Sequence, residues 1–497
     1  MNQTQLQAPR LPALRNHIDG VSSAPEFSNN CWLQDPNDLR QLQQQLSSSP
    51  AQIESALAAA QRAYQEGDWE AHTPAQRAEL LESIADHLAT AEIAEQMAVV
   101  DALTTGAVIK VTRLMASLVP LVFRGAAAHL RNGALHKILP GKLGDIDYFR
   151  SPWGPALLIS PWNGPTAIGS HKIASALAAG APCIIKPSEW APHSTLLMAE
   201  AIAKVDLPRG TFQLLCGDRE VGAAMVGDPR IRAISFTGGV AGGRSIAAAT
   251  AEDFKPLQLE LGGNNPLIVF EDADLDLAAR GVVYGLSNMN AQWCRALGRL
   301  LVHRSIKAPL LERVSELLSA LKLGHSLDAG SDMGPLIHEQ QYRGILTEIE
   351  RLQSLGGRVI APTPLPDLPG YFVAPTLVDD CAPEQSLQEN FGPVACIHSF
   401  DSEEEALALA NGTAFGLAAY VYSADERRAR AFSRKIRCGG VKINGYSLLA
   451  LSGTAPRSAW GLSGLGEEGA AQSIRFFTGA RVVGLSPQDQ IGGSSAR

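Results

Sequence analysis

The spacing of apolar residues changes near residue 155 of the chain. Between about 50 and 130 apolar side chains recur three or four positions apart, which predicts helices. Two of the helix starts combine a hydroxyl residue, a proline and a glutamine, at Ser49-Pro50 with Gln52 and at Thr73-Pro74 with Gln76. Each is the pattern of a capping box, in which two side chains close the first helical turn.

After residue 155 short apolar runs alternate with helical segments, which favours βαβ units around a buried parallel sheet. The runs that predict strands are 156–159, 183–185, 212–215, 233–236 and 267–270. A second mixed set follows between 275 and 460, with helices predicted near 308–322 and 338–354 and strands near 298–302, 394–400 and 417–422. The first thirty residues are polar and are expected to be irregular, and the last dozen form a loose tail.

Composition and charge favour a soluble globular protein over a nucleic-acid-binding, membrane or secreted one. Hydrophobic residues make up 45% of the 497 and charged residues 19%, as in soluble globular proteins of two or three domains. The net charge of −8 is dispersed, and no Lys/Arg-rich stretch indicates nucleic-acid binding. No long apolar stretch or apolar leader indicates a membrane or secretory route, so a cytoplasmic location is expected. Seven cysteines without CxxC spacing indicate neither a disulfide framework nor a metal site.

Three residues are candidates for chemistry. Cys294 follows Trp293 and precedes Arg295, whose charge favours a thiolate. Glu260 stands directly before Gly262-Gly263, where backbone can approach a ligand closely and a carboxylate can take a proton from water. Asn163 follows the 156–159 strand and can donate to an oxyanion. An inert buried thiol, a solvent-facing strand end and a turn-forming Asn are the structural alternatives.

Two further strand ends suit a dinucleotide. Lys186-Pro187-Ser188-Glu189 offers groups for ribose hydroxyls, although a charged turn would look the same. Residues 236–244, with Gly238 and Gly239, form a glycine-rich turn into a helix, where backbone N–H groups can face a diphosphate. This turn is not the G-x-G-x-x-G fingerprint.

Taken in order, these motifs resemble those of the aldehyde dehydrogenase superfamily from about residue 50 to 485. The matching segments are Pro-Trp-Asn at 161–163, Lys-Pro-Ser-Glu at 186–189, Phe-Thr-Gly at 236–238, Glu-Leu-Gly-Gly at 260–263, Ala-Gln-Trp-Cys at 291–294 and Glu-Asn-Phe-Gly-Pro at 389–393. The segments 411–417 and 463–469 complete the series.

The resemblance implies a fold of two Rossmann-like α/β domains with parallel sheets and a small β oligomerisation arm. It implies that Cys294 attacks an aldehyde, that Asn163 and the Cys294 N–H stabilise the oxyanion, and that Glu260 activates the water that hydrolyses the thioester. The residues that it assigns to the cofactor are Trp162, Lys186, Ser188, Glu189, Gly238, Gly239, Leu261, Gln341, Glu389 and Phe391. Glu189 favours NAD, because its carboxylate repels a 2′-phosphate, without excluding NADP.

The family organisation implies a dinucleotide-binding domain over 1–136 and 155–258 and a catalytic domain over 259–462. The arm spans 137–154 and 472–487, and its first part is expected to pair with the C-terminal strand of a neighbour in a homodimer or homotetramer. No metal, nucleic-acid or membrane partner is implied; the partner is a small-molecule aldehyde.

The departures from the family pattern concern the substrate. Ala291 stands for a glycine, Gly239 for a serine, and Arg457 for an apolar ring. The residues expected to line the substrate tunnel are Ile168, His171, Trp293, Arg295, Leu451 and Arg457. Trp293 favours an apolar or aromatic aldehyde, whereas the two arginines can pair with a carboxylate or simply face solvent.

Two alternatives keep the fold and change the outcome. In a coenzyme A-acylating semialdehyde dehydrogenase a thiol takes the acyl group, but that subgroup lacks the Glu that Glu260 matches. A non-catalytic member of the family would not be expected to keep Cys294, Glu260, Asn163 and Glu389 together. A cysteine hydrolase lacks a histidine that the sequence places as activating base.

Overall fold

In a computed structural model, the structure describes residues 10–447 and 455–485. Its helices are α1 Pro50–Glu66, α2 Asp68–Ala71, α3 Pro74–Leu88, α4 Ala91–Thr105, α5 Ile109–Arg131, α6 Pro165–Ala178, α7 His193–Ile202, α8 Arg219–Val226, α9 Val240–Ala249, α10 Leu275–Ser287, α11 Lys307–Ser319, α12 Glu339–Ser354, α13 Glu403–Ala410, α14 Glu426–Ser433 and α15 Ala470–Phe476. The helices predicted near 50–130, 308–322 and 338–354 are confirmed.

The strands begin earlier in the chain than the polar N-terminal sequence predicts. They are β1 Asn16–Ile18, β2 Val21–Ser23, β3 Phe27–Gln34, β4 Gln41–Ser47, β5 His136–Leu139, β6 Ile146–Pro152, β7 Ala156–Ile159, β8 Cys183–Lys186, β9 Phe212–Leu214, β10 Ala233–Thr237, β11 Leu257–Glu260, β12 Asn265–Val269, β13 Leu297–His303, β14 Arg358–Ile360, β15 Thr376–Asp379, β16 Val394–Phe400, β17 Phe415–Gly416, β18 Ala419–Tyr422, β19 Val441–Ile443, β20 Arg457–Ser458, β21 Trp460–Gly461, β22 Gly464–Leu465, β23 Glu467–Glu468 and β24 Thr478–Val483.

Two large sheets carry the fold. The first has the order β2-β1-β9-β8-β7-β10-β11-β22 and is parallel from β9 to β11. The second has the order β14-β15-β16-β13-β12-β18-β19 and is parallel from β15 to β19. Strands β7 and β8 are buried along their whole length, as parallel strands covered by helices on both faces must be. The predicted α/β class with two parallel sheets is confirmed.

The two predicted capping boxes are present. The Ser49 hydroxyl accepts from the Gln52 N–H at 3.2 Å, and the Gln52 side chain accepts from the Ser49 N–H at 3.0 Å. Thr73 and Gln76 make the same pair of bonds at the start of α3. Each box satisfies N–H groups that a helix start leaves unpaired.

The expectation that the first thirty residues are irregular is wrong. Strand β1 joins the edge of the first sheet by pairing His17 with Leu214. Asn16 is fully buried there, and its side-chain oxygen accepts from the Cys216 N–H at 2.9 Å. The partner strand lies about two hundred residues away in sequence, so the local polar pattern carried no sign of it.

The expected pairing of the arm with a neighbour's C-terminal strand is also wrong. Strand β24 pairs antiparallel with β6 of the same chain, from Thr478 opposite Pro152 to Val483 opposite Asp147. Together with β5 these strands form a three-stranded sheet. The C-terminal strand reaches the arm within one chain because α15 brings it back along α5 and α6.

Among the described residues, α5 alone is long and apolar enough to span a membrane by length and composition. Its Val119, Phe123 and Ala127 are buried in the core cluster that α3 and α6 also line. Such packing is typical of a core helix.

Loss of the first capping box should destabilise the protein. We expect Ser49→Ala to lower the free energy of unfolding by about 1 kcal/mol, because the buried Gln52 N–H in the first turn of α1 loses the hydroxyl that accepts its hydrogen bond. Ser55→Ala is the control, since Ser55 is an exposed residue of the same helix. Thermal unfolding of both variants checks this, and equal melting temperatures would refute the role of the cap.

Candidate active site

The carboxyl ends of neighbouring parallel strands bring the predicted motifs together. Ile159 lies opposite Lys186 and Phe236, and Thr237 lies opposite Glu260. The segment 161–163 leaves the sheet at this same edge. Ligands of open α/β sheets bind at this edge, so the order of motifs along the chain becomes one site in space.

The segment after Glu260 crosses from the first sheet to the second. A Cβ on Gly263 would lie 2.5 Å from the Cys294 carbonyl oxygen, so only glycine allows this approach. The Asn265 amide donates to the carbonyls of Cys294 at 2.9 Å and Ala296 at 2.8 Å. The Glu-Leu-Gly-Gly motif therefore holds the nucleophile loop directly.

Three consecutive left-handed residues shape that loop on its other side. Met289, Asn290 and Ala291 have φ values of 50°, 56° and 53°. The Asn290 amide anchors the turn by donating to the carbonyls of Gly106 at 2.9 Å and Pro335 at 2.8 Å. Left-handed backbone is unfavourable for non-glycine residues, so the strain is concentrated beside Cys294.

Asn163 lies against the same loop. Its Nδ2 donates to the Gln292 carbonyl at 2.9 Å, which places the amide two residues before Cys294. The three predicted catalytic residues are thus connected through the loop 289–296 and its contacts.

Burial dominates the electrostatics of Cys294. It raises the pKa of the thiol to about 12, and the neighbouring Arg295 opposes this shift without cancelling it. Arg295 favours the thiolate, as the sequence predicts, but burial has the larger effect, so the thiol is protonated at neutral pH.

Glu260 also stays protonated at neutral pH. Burial, followed by the negative charge of Glu468, raises the pKa of Glu260 to about 8. Among the described residues its buried Oε1 has no hydrogen-bond partner, so a ligand or water can occupy that position.

A buried charged group that the sequence did not single out lies beside Glu260. Glu468 lies 3.8 Å from Lys172 Nζ and 3.6 Å from Arg457 Nη2. Lys172 also donates to the Ser235 hydroxyl at 2.6 Å, and its neighbour His171 pairs with the Ser473 hydroxyl at 2.9 Å. The lysine within the apolar run of α6 was the available signal, because a buried charge needs a partner.

A cavity of about 770 Å³ opens at the ends of β7, β8 and β10. The predicted cofactor residues that line it are Trp162, Lys186, Ser188, Glu189 and Gly238. Helix α9 starts in the cavity wall without a side-chain cap, and Ala241 and Gly242 of its first turn line the space. Free N–H groups at a helix start suit a diphosphate, so the donors and the volume fit a dinucleotide.

Lys186 and Glu189 form a charged pair in the wall of this cavity. Lys186 Nζ donates to the carbonyls of Gly217 at 2.6 Å and Pro187 at 2.9 Å and lies 3.8 Å from Glu189. Burial lowers the pKa of Lys186, and Glu189 opposes the shift. Glu189 remains partly exposed towards the cavity.

The other predicted cofactor residues lie outside the lining of this cavity. The Glu389 carboxylate accepts from the Gly263 N–H at 2.7 Å, and a Cβ on Gly262 would overlap it. Burial raises the pKa of Glu389 to about 7. Gln341 donates to the Phe391 carbonyl at 2.7 Å, and the Phe391 ring meets Trp162 edge-on at 5.3 Å.

The remaining predicted residues are distributed as follows. Leu261 is buried against α9, and Gly239 precedes that helix as its N-cap. Ile168 packs against Gly164, next to Asn163. Trp293 is buried behind Cys294, and Leu451 lies outside the described residues.

The family model that describes the aldehyde dehydrogenase family matches residues 28–483. A betaine aldehyde dehydrogenase of Cereibacter sphaeroides is 34% identical over 96% of this chain and 99% of its own length. The peroxisomal aminoaldehyde dehydrogenase 1 of Malus domestica is 39% identical over 59% of this chain and 60% of its own. The crystal structure of betaine aldehyde dehydrogenase from Staphylococcus aureus in complex with NAD+ superposes with a TM-score of 0.89 at 29% identity, covering 95% of both chains.

The chain therefore belongs to the aldehyde dehydrogenase family. It is an oxidoreductase that acts on aldehydes, as the ordered motifs predict.

The left-handed turn before Cys294 predicts an unusual response to glycine. We expect Ala291→Gly to change the free energy of unfolding by less than about 0.5 kcal/mol, because relief of left-handed strain offsets the extra entropy of the unfolded chain and the loss of a buried methyl group. The same change at the exposed helical residue Ala408 should lower it by about 1 kcal/mol. Melting temperatures of the two variants check this, and an equal loss in both would contradict the strain.

Proposed function

We propose that the protein oxidises an aldehyde to the carboxylic acid with NAD, using Cys294 as nucleophile, Glu260 as general base and Asn163 as oxyanion donor. The observation that carries this proposal is the packing of Gly263 and Asn265 against the Cys294 backbone. It fixes the nucleophile beside the segment that follows Glu260.

Cys294 Sγ attacks the aldehyde carbon and its proton passes to water as the C–S bond forms, while the carbonyl π electrons move to the oxygen and give a thiohemiacetal oxyanion. The Asn163 amide and the Cys294 N–H stabilise the oxyanion, and this replaces the bond from Asn163 to the Gln292 carbonyl. When bound, NAD supplies the acceptor for the hydride that leaves the former aldehyde carbon. The product on Cys294 is a thioester.

Glu260 then takes a proton from water, the resulting hydroxide attacks the thioester, and the acid leaves as the Cys294 thiolate is released. Glu260 needs its deprotonated form for this step, and the positive charges of Arg295, Lys172 and Arg457 favour that form. Because this carboxyl group is present, water rather than coenzyme A is the proposed acyl acceptor.

For NAD, the proposal assigns Lys186, Ser188 and Glu189 to the adenosine ribose and the start of α9, with Gly238 and Gly239, to the diphosphate. Glu389 would hold the nicotinamide ribose, and Trp162, Leu261, Gln341 and Phe391 would shape the remaining contacts. The NAD+ complex of the Staphylococcus aureus enzyme supports the choice of coenzyme.

The same proposal divides the chain into a dinucleotide-binding domain over 1–136 and 155–258 and a catalytic domain over 259–462. It places the enzyme in the cytoplasm. The separation of the two large sheets between β11 and β12 supports the division.

We further propose a homodimer or homotetramer that assembles through the arm 137–154 and 472–487. The arm sheet exposes Ile138, Leu139, Val482 and Val483, an apolar surface that a lone chain would leave in water. Light scattering on the purified protein should give a dimer or tetramer, and Ile138→Asp with Val482→Asp should shift it towards the monomer. Leu355→Asp, an exposed apolar residue elsewhere, should leave the mass unchanged.

Single-turnover kinetics separate the roles of Cys294 and Glu260. Cys294→Ala should form no NADH, whereas Cys31→Ala, a change at an exposed thiol, should behave as wild type. Glu260→Gln should give about one equivalent of NADH per site and then turn over about 10² to 10⁴ times more slowly, because the thioester accumulates.

The pH dependence of the hydrolytic step tests the role of Glu260 in a second way. The hydrolytic step should speed up about tenfold per pH unit and level off above about pH 8, since only the Glu260 carboxylate accepts a proton. In Glu260→Gln this dependence should disappear. Steady NADH formation by Cys294→Ala, or an unchanged pH profile in Glu260→Gln, would contradict the assignment.

A further inference from the structure

The charged groups around Glu260 are predominantly positive. Lys172, Arg295 and Arg457 each affect Glu260 electrostatically, and the anion facing them is Glu468. The cations lower the pKa of Glu468, so this group is ionised at neutral pH. With Glu260 protonated, Arg295, Arg457 and Lys172, whose pKa burial lowers, share a single carboxylate at neutral pH.

Arg457, which is partly exposed as Arg295 also is, is the arginine of this group that pairs with Glu468. Its side chain is 40% exposed, compared with 13% for Glu468 and none for Lys172. The 3.6 Å separation from Glu468 is an ion pair rather than a hydrogen bond. The planar guanidinium of Arg457 can therefore donate two hydrogen bonds to a second acceptor, such as the carboxylate of a ligand.

The side chains packed near Asn163 are in large part apolar. A narrow space beside Asn163 and Gly164 is lined in part by Val111, Met115 and Met289. These three residues pack with Trp293 in one core cluster. Trp293 is 4% exposed, and its buried Nε1 donor has no hydrogen-bond partner among the described residues. A hydrogen-bond acceptor on the substrate would satisfy this donor.

The described residues offer little to a cationic aldehyde. The Trp293 ring packs against Tyr446 at 6.0 Å and Tyr284 at 6.4 Å, so its surroundings are taken up by other rings rather than left open as a cage for a quaternary ammonium group. The buried Asp101 carboxyl, which also lines the narrow space, already accepts from the Thr166 hydroxyl at 2.5 Å. Burial raises the pKa of Asp101 to about 6, which weakens it as a fixed anion.

We infer that the substrate is an aldehyde that carries a carboxylate, and that Arg457 is the residue that recognises this carboxylate. The inference rests on the proposed function and narrows it to one substrate class. It separates this chain from the relatives whose names specify betaine aldehyde and aminoaldehydes, which are cationic substrates.

A length-matched set of aldehydes tests the substrate class. We expect kcat/KM for 5-oxopentanoate to exceed that for hexanal by about 10- to 100-fold, the range of one charge-assisted contact. For 4-(trimethylammonio)butanal it should fall below that for hexanal, because like charges repel. A preference for the cationic or the neutral aldehyde would overturn the inference and leave the proposed chemistry intact.

Substitutions at Arg457 test the residue. Arg457→Met should remove the advantage of 5-oxopentanoate over hexanal, mainly through KM. Loss of the Arg457 charge beside Glu260 should slow both aldehydes alike, so the ratio of their kcat/KM values is the readout. Arg457→Lys should restore part of the advantage. Arg434→Met, which removes an exposed arginine at the end of α14, is the control and should retain it. Equal losses for both aldehydes in Arg457→Met would show a structural role and contradict recognition.

Binding to an inactive variant separates this inference from the catalytic proposal. In calorimetry, Cys294→Ala should bind 5-oxopentanoate more tightly than hexanal, and Cys294→Ala with Arg457→Met should bind the two alike. Failure of every aldehyde to turn over in the wild type would refute the catalytic proposal. The calorimetric comparison would still decide whether the site selects a carboxylate.

Discussion

The contact between Gly263 and the Cys294 backbone is the constraint on which the site depends. It lies where the chain leaves β11 in the first sheet and enters β12 in the second. Side chains at 262 and 263 would push away the Glu389 carboxylate and the nucleophile loop, respectively. Two glycines thus let three separate segments meet within hydrogen-bonding distance.

The same close packing sets the chemistry of the acid and the thiol. Glu260 is buried and Cys294 is partly buried, and burial is the principal cause of the raised pKa of each. Both groups are neutral at rest, which spares the buried site two uncompensated negative charges. Reactivity is therefore generated in steps, as the thiol proton and the carboxyl proton leave, rather than stored in a permanent thiolate.

Local sequence predicted those parts of the molecule that neighbouring residues determine. The capping box at Ser49 and Gln52 and the strand 156–159 appear as predicted, because each depends on residues within a few positions. Strand β1 could not be predicted in this way, since its partner β9 lies far along the chain. The pairing of β24 with β6 in one chain likewise depends on how α15 returns the chain to the arm.

The candidate site likewise combines features that local sequence predicts with contacts between residues that lie far apart in the chain. Motif order singles out Cys294, Glu260 and Asn163 as candidates, whereas the contact of Glu468 with Lys172 cannot be predicted from local sequence. That contact joins α6 to β23, which lie far apart along the chain, so only the folded chain reveals it. The same group contains Arg457, where the sequence departs most from its family. Arg457 lowers the pKa of Glu260 and Glu468 raises it, so a substitution at position 457 changes the electrostatics of Glu260 as well as the charge of the surrounding surface.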